Sequence, residues 1–210
     1  MLTHAANPRL SLVAGSACRA VSDADLARAL IAGNVWAIDE TWIRFAPEIH
    51  LMATRALGVE SEADDIVQEV FYRVFSRATT LREPEKLRGF VRSFAIYVIK
   101  SELRRRKARG WLSFREPEAL VDMASSTLDI ESLDLLRRFY RLLDRLRPRD
   151  RLVFALRNFE QMTVEEVAES TKLSTSTVKR SLEHVTNKLS LWSETDSDIA
   201  ELLAAKGRKR

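Results

Sequence analysis

Cysteine is nearly absent from this chain: Cys18 stands alone among 210 residues. That excludes a disulfide framework within the chain and suits a reducing compartment. Glycine and proline are also scarce, at 6 and 5, and convincing alternation of apolar and polar residues is missing. Long runs of good helix formers stand in their place, so the expected class is all-α. No apolar run approaches the roughly 20 residues that cross a bilayer. Residues 10–18, LSLVAGSAC, briefly imitate an export signal ending at a lipid-modified cysteine, but the run is short and broken by Ser and Gly. A soluble, cytoplasmic protein without membrane insertion is expected. His4, His50 and His184 are scattered and share no ligand-like spacing with Cys18. With no phosphate-cradling Gly-rich loop and no nucleophile arrangement, the sequence points to no enzyme, no metal, no cofactor and no small-molecule substrate.

What is present is enough apolar material to build a core, 46% of residues, and a mild excess of positive charge, +4. The placement of that charge matters more than its sum, because a polyanion senses local potential.

The segment Thr163 to Leu189, TVEEVAESTKLSTSTVKRSLEHVTNKL, carries the clearest pattern. Thr163 followed three residues later by Glu166 is a capping box that starts a helix. Lys172-Leu173-Ser174 forms a turn, with Leu173 inward and Ser174 placed to cap the next helix. Val178, Leu182, Val185 and Leu189 then form one apolar stripe, leaving Thr175, Ser176, Lys179, Arg180, Glu183, His184 and Lys188 outside. Two short helices, a tight turn and a polar outer face make a helix-turn-helix, whose second helix fits a DNA major groove.

Upstream, Ser22 caps a short helix that ends at Gly33-Asn34, and a longer helix runs from about Val35 to Ala56. Pro47 within it implies a kink or a break. Ser61 with Asp64 starts a third helix, whose apolar face is Ala63, Ile66, Val67, Val70, Phe71, Val74 and Phe75. Its other face is acidic. The macrodipole accounts for Glu62 and Asp64, whereas Asp65, Gln68 and Glu69 suit protein docking. A fourth helix, about Glu85 to Lys107, buries Leu87, Phe90 or Val91, Phe94, Ala95, Val98 and Leu103. It carries Arg88, Arg92, Lys100 and Arg104 at multiples of four with Tyr97 nearby, a combination suited to phosphates and stacked bases. Residues 110–128 lack periodicity and read as a linker.

The expected layout is therefore a tail over 1–21, a helical domain over 22–109, the linker, a helix-turn-helix domain over 129–192, and an extension over 193–210. In this order, ADDIVQEVFYRVF, SELRRRKAR and LDRLRPRDRLVFALRNFEQMTVEEVAE running into STSTVKRSL resemble the bacterial RNA polymerase sigma factors of the extracytoplasmic-function group, within the sigma-70 superfamily. The resemblance covers roughly residues 22–190. It implies that Asp64, Asp65, Gln68 and Glu69 grip core RNA polymerase. Arg88, Arg92, Tyr97, Lys100 and Arg104, with the loop before them, would meet the melted minus-ten promoter element. Lys172, Thr175, Ser176, Lys179, Arg180 and His184 would meet the minus-thirty-five duplex. It further implies initiation of transcription from promoter DNA and an anti-sigma partner.

The chain also departs from the pattern it resembles. Phe90 stands where Trp is common, Ile96-Tyr97 where an Arg-Asn pair is common, Lys172 where Gly is usual, and Arg180-Ser181 where Ser-Arg is frequent. Two other readings use the same residues. One is a stand-alone helix-turn-helix regulator; the other is an adaptor that kept the fold without initiating.

Overall fold

The computed structural model describes residues 21–58, 62–109 and 130–193, and every regular element in them is helical. The N-terminal half contains α1 (Asp23–Ile31), α2 (Val35–Leu57), α3 (Ala63–Ser76) and α4 (Leu87–Arg109), with short 3-10 turns at Ala78–Thr80 and Pro84–Lys86. The C-terminal half contains α5 (Ile130–Asp144), α6 (Pro148–Asn158), α7 (Val164–Thr171) and α8 (Thr175–Ser193). The stretches expected to be tail, linker and extension lie outside the described residues, except for Val21 and Ser193.

Local chemistry sets most boundaries. Ser22 Oγ accepts the Asp25 N–H at 3.1 Å, and Asp23 and Asp25 favour the positive end of α1. Gly33 and Gly58 both take the left-handed conformation, with φ of 77° and 71°, after α1 and α2. Pro47 does not break α2, which runs unbroken through it. Pro47 and Ile43, whose carbonyl loses the helical N–H, are both exposed, so water can satisfy that carbonyl. Ser61, the expected cap of α3, is outside the described residues; Glu62 occupies the cap position, makes no capping bond and instead accepts from Arg106 at 2.7 Å. Pro148 sits in the first turn of α6, where its missing N–H costs nothing.

The apolar faces converge on a core that ignores the division between halves. Leu26, Phe45, Ile49, Phe71, Val74, Leu87, Val91 and Ile99 share one cluster with Leu152, Leu156, Val167, Ala168 and Val178. A smaller cluster, Phe139, Tyr140, Leu143, Leu146, Phe154, Val185 and Leu189, ties α5 and α6 to α8. The two helical domains are therefore packed on each other.

The joint is built around the end of α2. The last carbonyls of a helix have no partner within it. Here, the Tyr140 hydroxyl donates to the Arg55 carbonyl at 3.1 Å, and Arg151 donates to Ala56 at 2.8 Å and Leu57 at 2.7 Å. Arg106, from α4, adds a second donor to Leu57 at 2.9 Å. Arg151 is 4% exposed and also pairs with Asp144. Its burial works against its charge, while Asp144 and the negative helix end favour it. Tyr140 approaches so closely that a Cβ on Gly58 would stand 2.3 Å from its ring.

Two substitutions test this joint by chemical denaturation. Arg151→Ala removes three charge-assisted contacts and is expected to cost about 3 kcal/mol. Gly58→Ala is expected to cost at least about 1–2 kcal/mol, from its positive φ and the Tyr140 clash together; a fully neutral result would disprove the close approach.

Candidate nucleic-acid interface

The helix-turn-helix forms as its local sequence dictates. Thr163 Oγ1 accepts the Glu166 N–H at 3.1 Å and the Glu166 carboxylate accepts the Thr163 N–H at 2.7 Å. These bonds hold the Glu166 carboxyl below the usual carboxylate range. Lys172 ends α7 with φ 57° and ψ 42°, the left-handed conformation glycine adopts without strain. Ser174 Oγ accepts the Thr177 N–H at 3.2 Å and starts α8. Val178, Val185 and Leu189 are buried and Leu182 is partly so.

On the outer face of α8, Thr175, Ser176, Lys179 and Arg180 are exposed and His184 is partly exposed; Lys172 is exposed beside them. These six residues are thus brought to one accessible surface. Ser181 turns inward. It is 1% exposed and donates to the equally buried Asp150 at 2.8 Å, which fixes α8 against α6 and points the neighbouring Arg180 out.

The cations of α4 do not form one free stripe. Steps of four residues gain about 40° each, so a row from Arg88 to Arg104 winds round the helix. Arg88 pairs with Glu48 and stands 5.1 Å over the Phe45 ring. Arg92 lies 3.3 Å from Glu48 and donates to Glu160 at 3.2 Å. Lys100 donates to the Thr171 carbonyl at 3.1 Å. Its ammonium is easier to deprotonate than usual, through burial first and then the positive charges of Arg104 and Lys172. Tyr97 and Arg104 fall about 20° apart on another side, both exposed. Phe90 and Phe94 flank that side in an edge-to-face pair at 5.0 Å, and the Arg73 guanidinium lies 5.1 Å from the Tyr97 ring centroid. Ile96 is 3% exposed and belongs to the core.

On α3, Asp64, Asp65 and Gln68 are exposed and Glu69 is partly exposed. Glu69 pairs with Arg73 at 2.5 Å, and His50 lies 3.4 Å from Asp64. Asp65 and Gln68 make no hydrogen bond or ion pair among the described residues. Beside this face, a cavity of about 410 Å³ opens between α2 and α3, lined by Trp42, Ile43, Ala46, Pro47, His50, Asp64 and Val67.

Tyr140, Arg151 and Glu160 are absent from the sequence reading although they join the two halves. The one available signal was Arg151 itself, a charge immediately before the apolar run Leu152–Leu156 and seven positions after Asp144. Among the described residues no group of His, Cys, Asp and Glu could hold a metal, and no helix is long and apolar enough to cross a membrane.

The helical domain of α1–α4 and the helix-turn-helix domain of α5–α8 correspond to two modules of one class of protein. The family model of sigma-70 region 2 matches residues 42–109 and that of sigma-70 region 4 matches residues 136–188, together more than half of the chain. The protein belongs to the sigma-70 superfamily of RNA polymerase sigma factors, in its extracytoplasmic-function group, and so to a family of non-enzymatic regulators. It is 29% identical over 124 residues to RNA polymerase sigma factor SigV of Bacillus subtilis, covering 59% of this chain and 70% of that one. It is 26% identical over 151 residues to RNA polymerase sigma-E factor of Streptomyces coelicolor, covering 71% and 82% respectively. The structure of CnrH in complex with the cytosolic domain of CnrY shares the fold, with a TM-score of 0.58 and 22% identity over 83% of this chain and 98% of that one.

Ser181→Ala would leave the buried Asp150 with the Arg149 guanidinium at 3.2 Å in place of two side-chain donors and is expected to cost about 2 kcal/mol in thermal or chemical unfolding. The capping box carries a pH signature. Because the folded Glu166 carboxyl is depressed, its contribution is present above the ordinary carboxylate pKa, 4.5, and is lost as pH falls through the lower folded value. The stability difference between the wild type and Glu166→Gln should therefore shrink in acid, and a gap that stays constant from pH 6 to pH 3 would contradict it.

Proposed function

We propose that this sigma factor binds core RNA polymerase, recognises two promoter elements and initiates transcription of a specific set of genes. The observation that carries the reading is the separation of an exposed acidic face on α3 from an exposed reader on α8. Asp65 and Gln68 have no structural partner among the described residues, and the surface they share with Asp64 and Glu69 suits a basic protein partner such as core polymerase. The exposed apolar residues Trp42 and Ile43 border it and add area that a protein partner could cover.

The reader face, Lys172, Thr175, Ser176, Lys179, Arg180 and His184, meets the minus-thirty-five element as duplex. Hydroxyls and cations at the start of a helix suit both phosphates and base edges in a major groove. Capture of the melted minus-ten element falls to α4 and the loop before it. Phe90, Phe94, Tyr97 and Arg104 offer stacking and phosphate contact on the free side, and Arg88, Arg92 and Lys100 supply further charge. Stacking and phosphate neutralisation offset the few kcal/mol that unpairing costs. By likeness to CnrH, solved with the cytosolic domain of CnrY, a protein partner that holds both domains inactive is part of this proposal. Its site of action is the cytoplasm.

The test is run-off transcription of genomic fragments by core polymerase with and without the protein. New start sites are expected only with it, and none on any template would overturn the proposal. Asp65→Lys with Glu69→Lys is expected to weaken core binding by about tenfold or more through like-charge contact. Binding of the same variant to duplex DNA should stay within about twofold of wild type, which separates loss of docking from loss of fold.

A further inference from the structure

The exposed face of α8 carries a carboxylate where the proposed partner is a polyanion. Glu183 is exposed, as are Lys179 and Arg180, and none of the three side chains makes a hydrogen bond or ion pair among the described residues. They lie at the three- and four-residue spacings where pairs form elsewhere in the chain. Asp25 with Arg28, Glu40 with Arg44, Glu69 with Arg73 and Asp134 with Arg138 all place the acid N-terminal to its partner, the order that favours pairing. In α8 the cations come first. No ion pair accounts for Glu183, and phosphates repel its charge.

The position of Glu183 is central and fixed. At 100° per residue it stands about 40° from Lys179 and about 60° from Arg180, between them, and about 20° from Ser176 two turns earlier. The residues two before and two after it are buried: Ser181, which donates to Asp150 at 2.8 Å, and Val185, 1% exposed. These anchors set the rotation of α8 and keep Glu183 in the middle of the reader. A carboxylate only accepts hydrogen bonds. In a major groove the donors are the amino groups of cytosine and adenine. Adenine sets its N7 acceptor beside the amino group and so repels a carboxylate, whereas cytosine offers N4 alone. Lys179 and Arg180 have the opposite preference, for guanine O6 and N7. Together the three match a C·G pair, with the carboxylate on cytosine and a cation on guanine.

We propose that Glu183 is a specificity-determining residue of the reader, accepting a hydrogen bond from the N4 amino group of a cytosine in the duplex. This rests on the assignment of α8 to duplex DNA. The charge that weakens attraction to every phosphate then sharpens discrimination, because at any other base the carboxylate loses water without gaining a fitting donor.

The full chain, alone and with core RNA polymerase, is used to select from a pool of randomised duplexes, and the wild type is compared with Glu183→Ala and Glu183→Gln. The wild type is expected to enrich a site with one position held to cytosine, whose replacement weakens binding about tenfold or more. Glu183→Ala should lose the preference at that position alone. Glu183→Gln should move it towards adenine, whose N6 and N7 suit an amide. N4-methylcytosine at the position, with a methyl group in place of the groove-facing hydrogen, should weaken the wild type about tenfold and Glu183→Ala by less than about twofold. A wild-type site without a fixed cytosine, variants that keep the cytosine preference, or variants that gain equally for every sequence would overturn the proposal and leave the reader intact. If the wild type enriches no duplex, alone or with polymerase, the assignment of α8 itself fails and the proposal with it.

Discussion

The arrangement depends on how the carbonyls at the end of α2 are satisfied. A helix cannot bond its own last carbonyls, and those of Arg55, Ala56 and Leu57 lie where two domains meet and water is excluded. Tyr140, Arg151 and Arg106 supply the donors. Because two of the three come from the C-terminal half, the polar satisfaction of one domain is completed by the other. Arg151 tolerates near-total burial because Asp144 and two carbonyls replace the water it loses. Gly58 lets the joint close, since only a residue without a Cβ leaves room for the Tyr140 ring.

The same joint gives α4 three different faces. Val91, Ala95, Val98 and Ile99 face the core. Arg92, Ile96 and Lys100 meet the C-terminal domain, and Phe90, Tyr97 and Arg104 remain on the free side. A helix of 23 residues can serve as core, joint and proposed nucleic-acid surface because its side chains wind round at 100° per residue. The α3 and α8 helices are simpler, with one buried and one exposed face, and each proposed contact of theirs is at least partly exposed with the two halves docked.

Much of this was legible where the cause is local. The Thr163–Glu166 cap, the turn at Lys172 and the stripe from Val178 to Leu189 depend on residues within one or two turns, and the structure has all of them. The α3 face from Ala63 to Val74 follows from periodicity in the same way. Pro47 shows the limit of a local rule. A proline disfavours a helix interior, yet packing of Phe45, Ile49 and Met52 on either side sustains α2 through it. The four-residue spacing of Arg88, Arg92 and Lys100 correctly placed them on α4 but could not say what would cover them, and Tyr97 falls on a different side from Arg92.

By itself, the sequence determined the helical class, the order of the helices, the helix-turn-helix and the acidic face of α3. These rest on composition, caps and periods short enough for a single chain segment to express. Only the tertiary structure decided that the halves dock, that Arg151 and Tyr140 complete α2, and that Glu160 and Thr171 hold the cations of α4. Those contacts join residues 68 to 95 positions apart. Nothing in the pattern around either partner encodes the other, because such pairs form only when the folded backbone has already brought them within hydrogen-bonding reach.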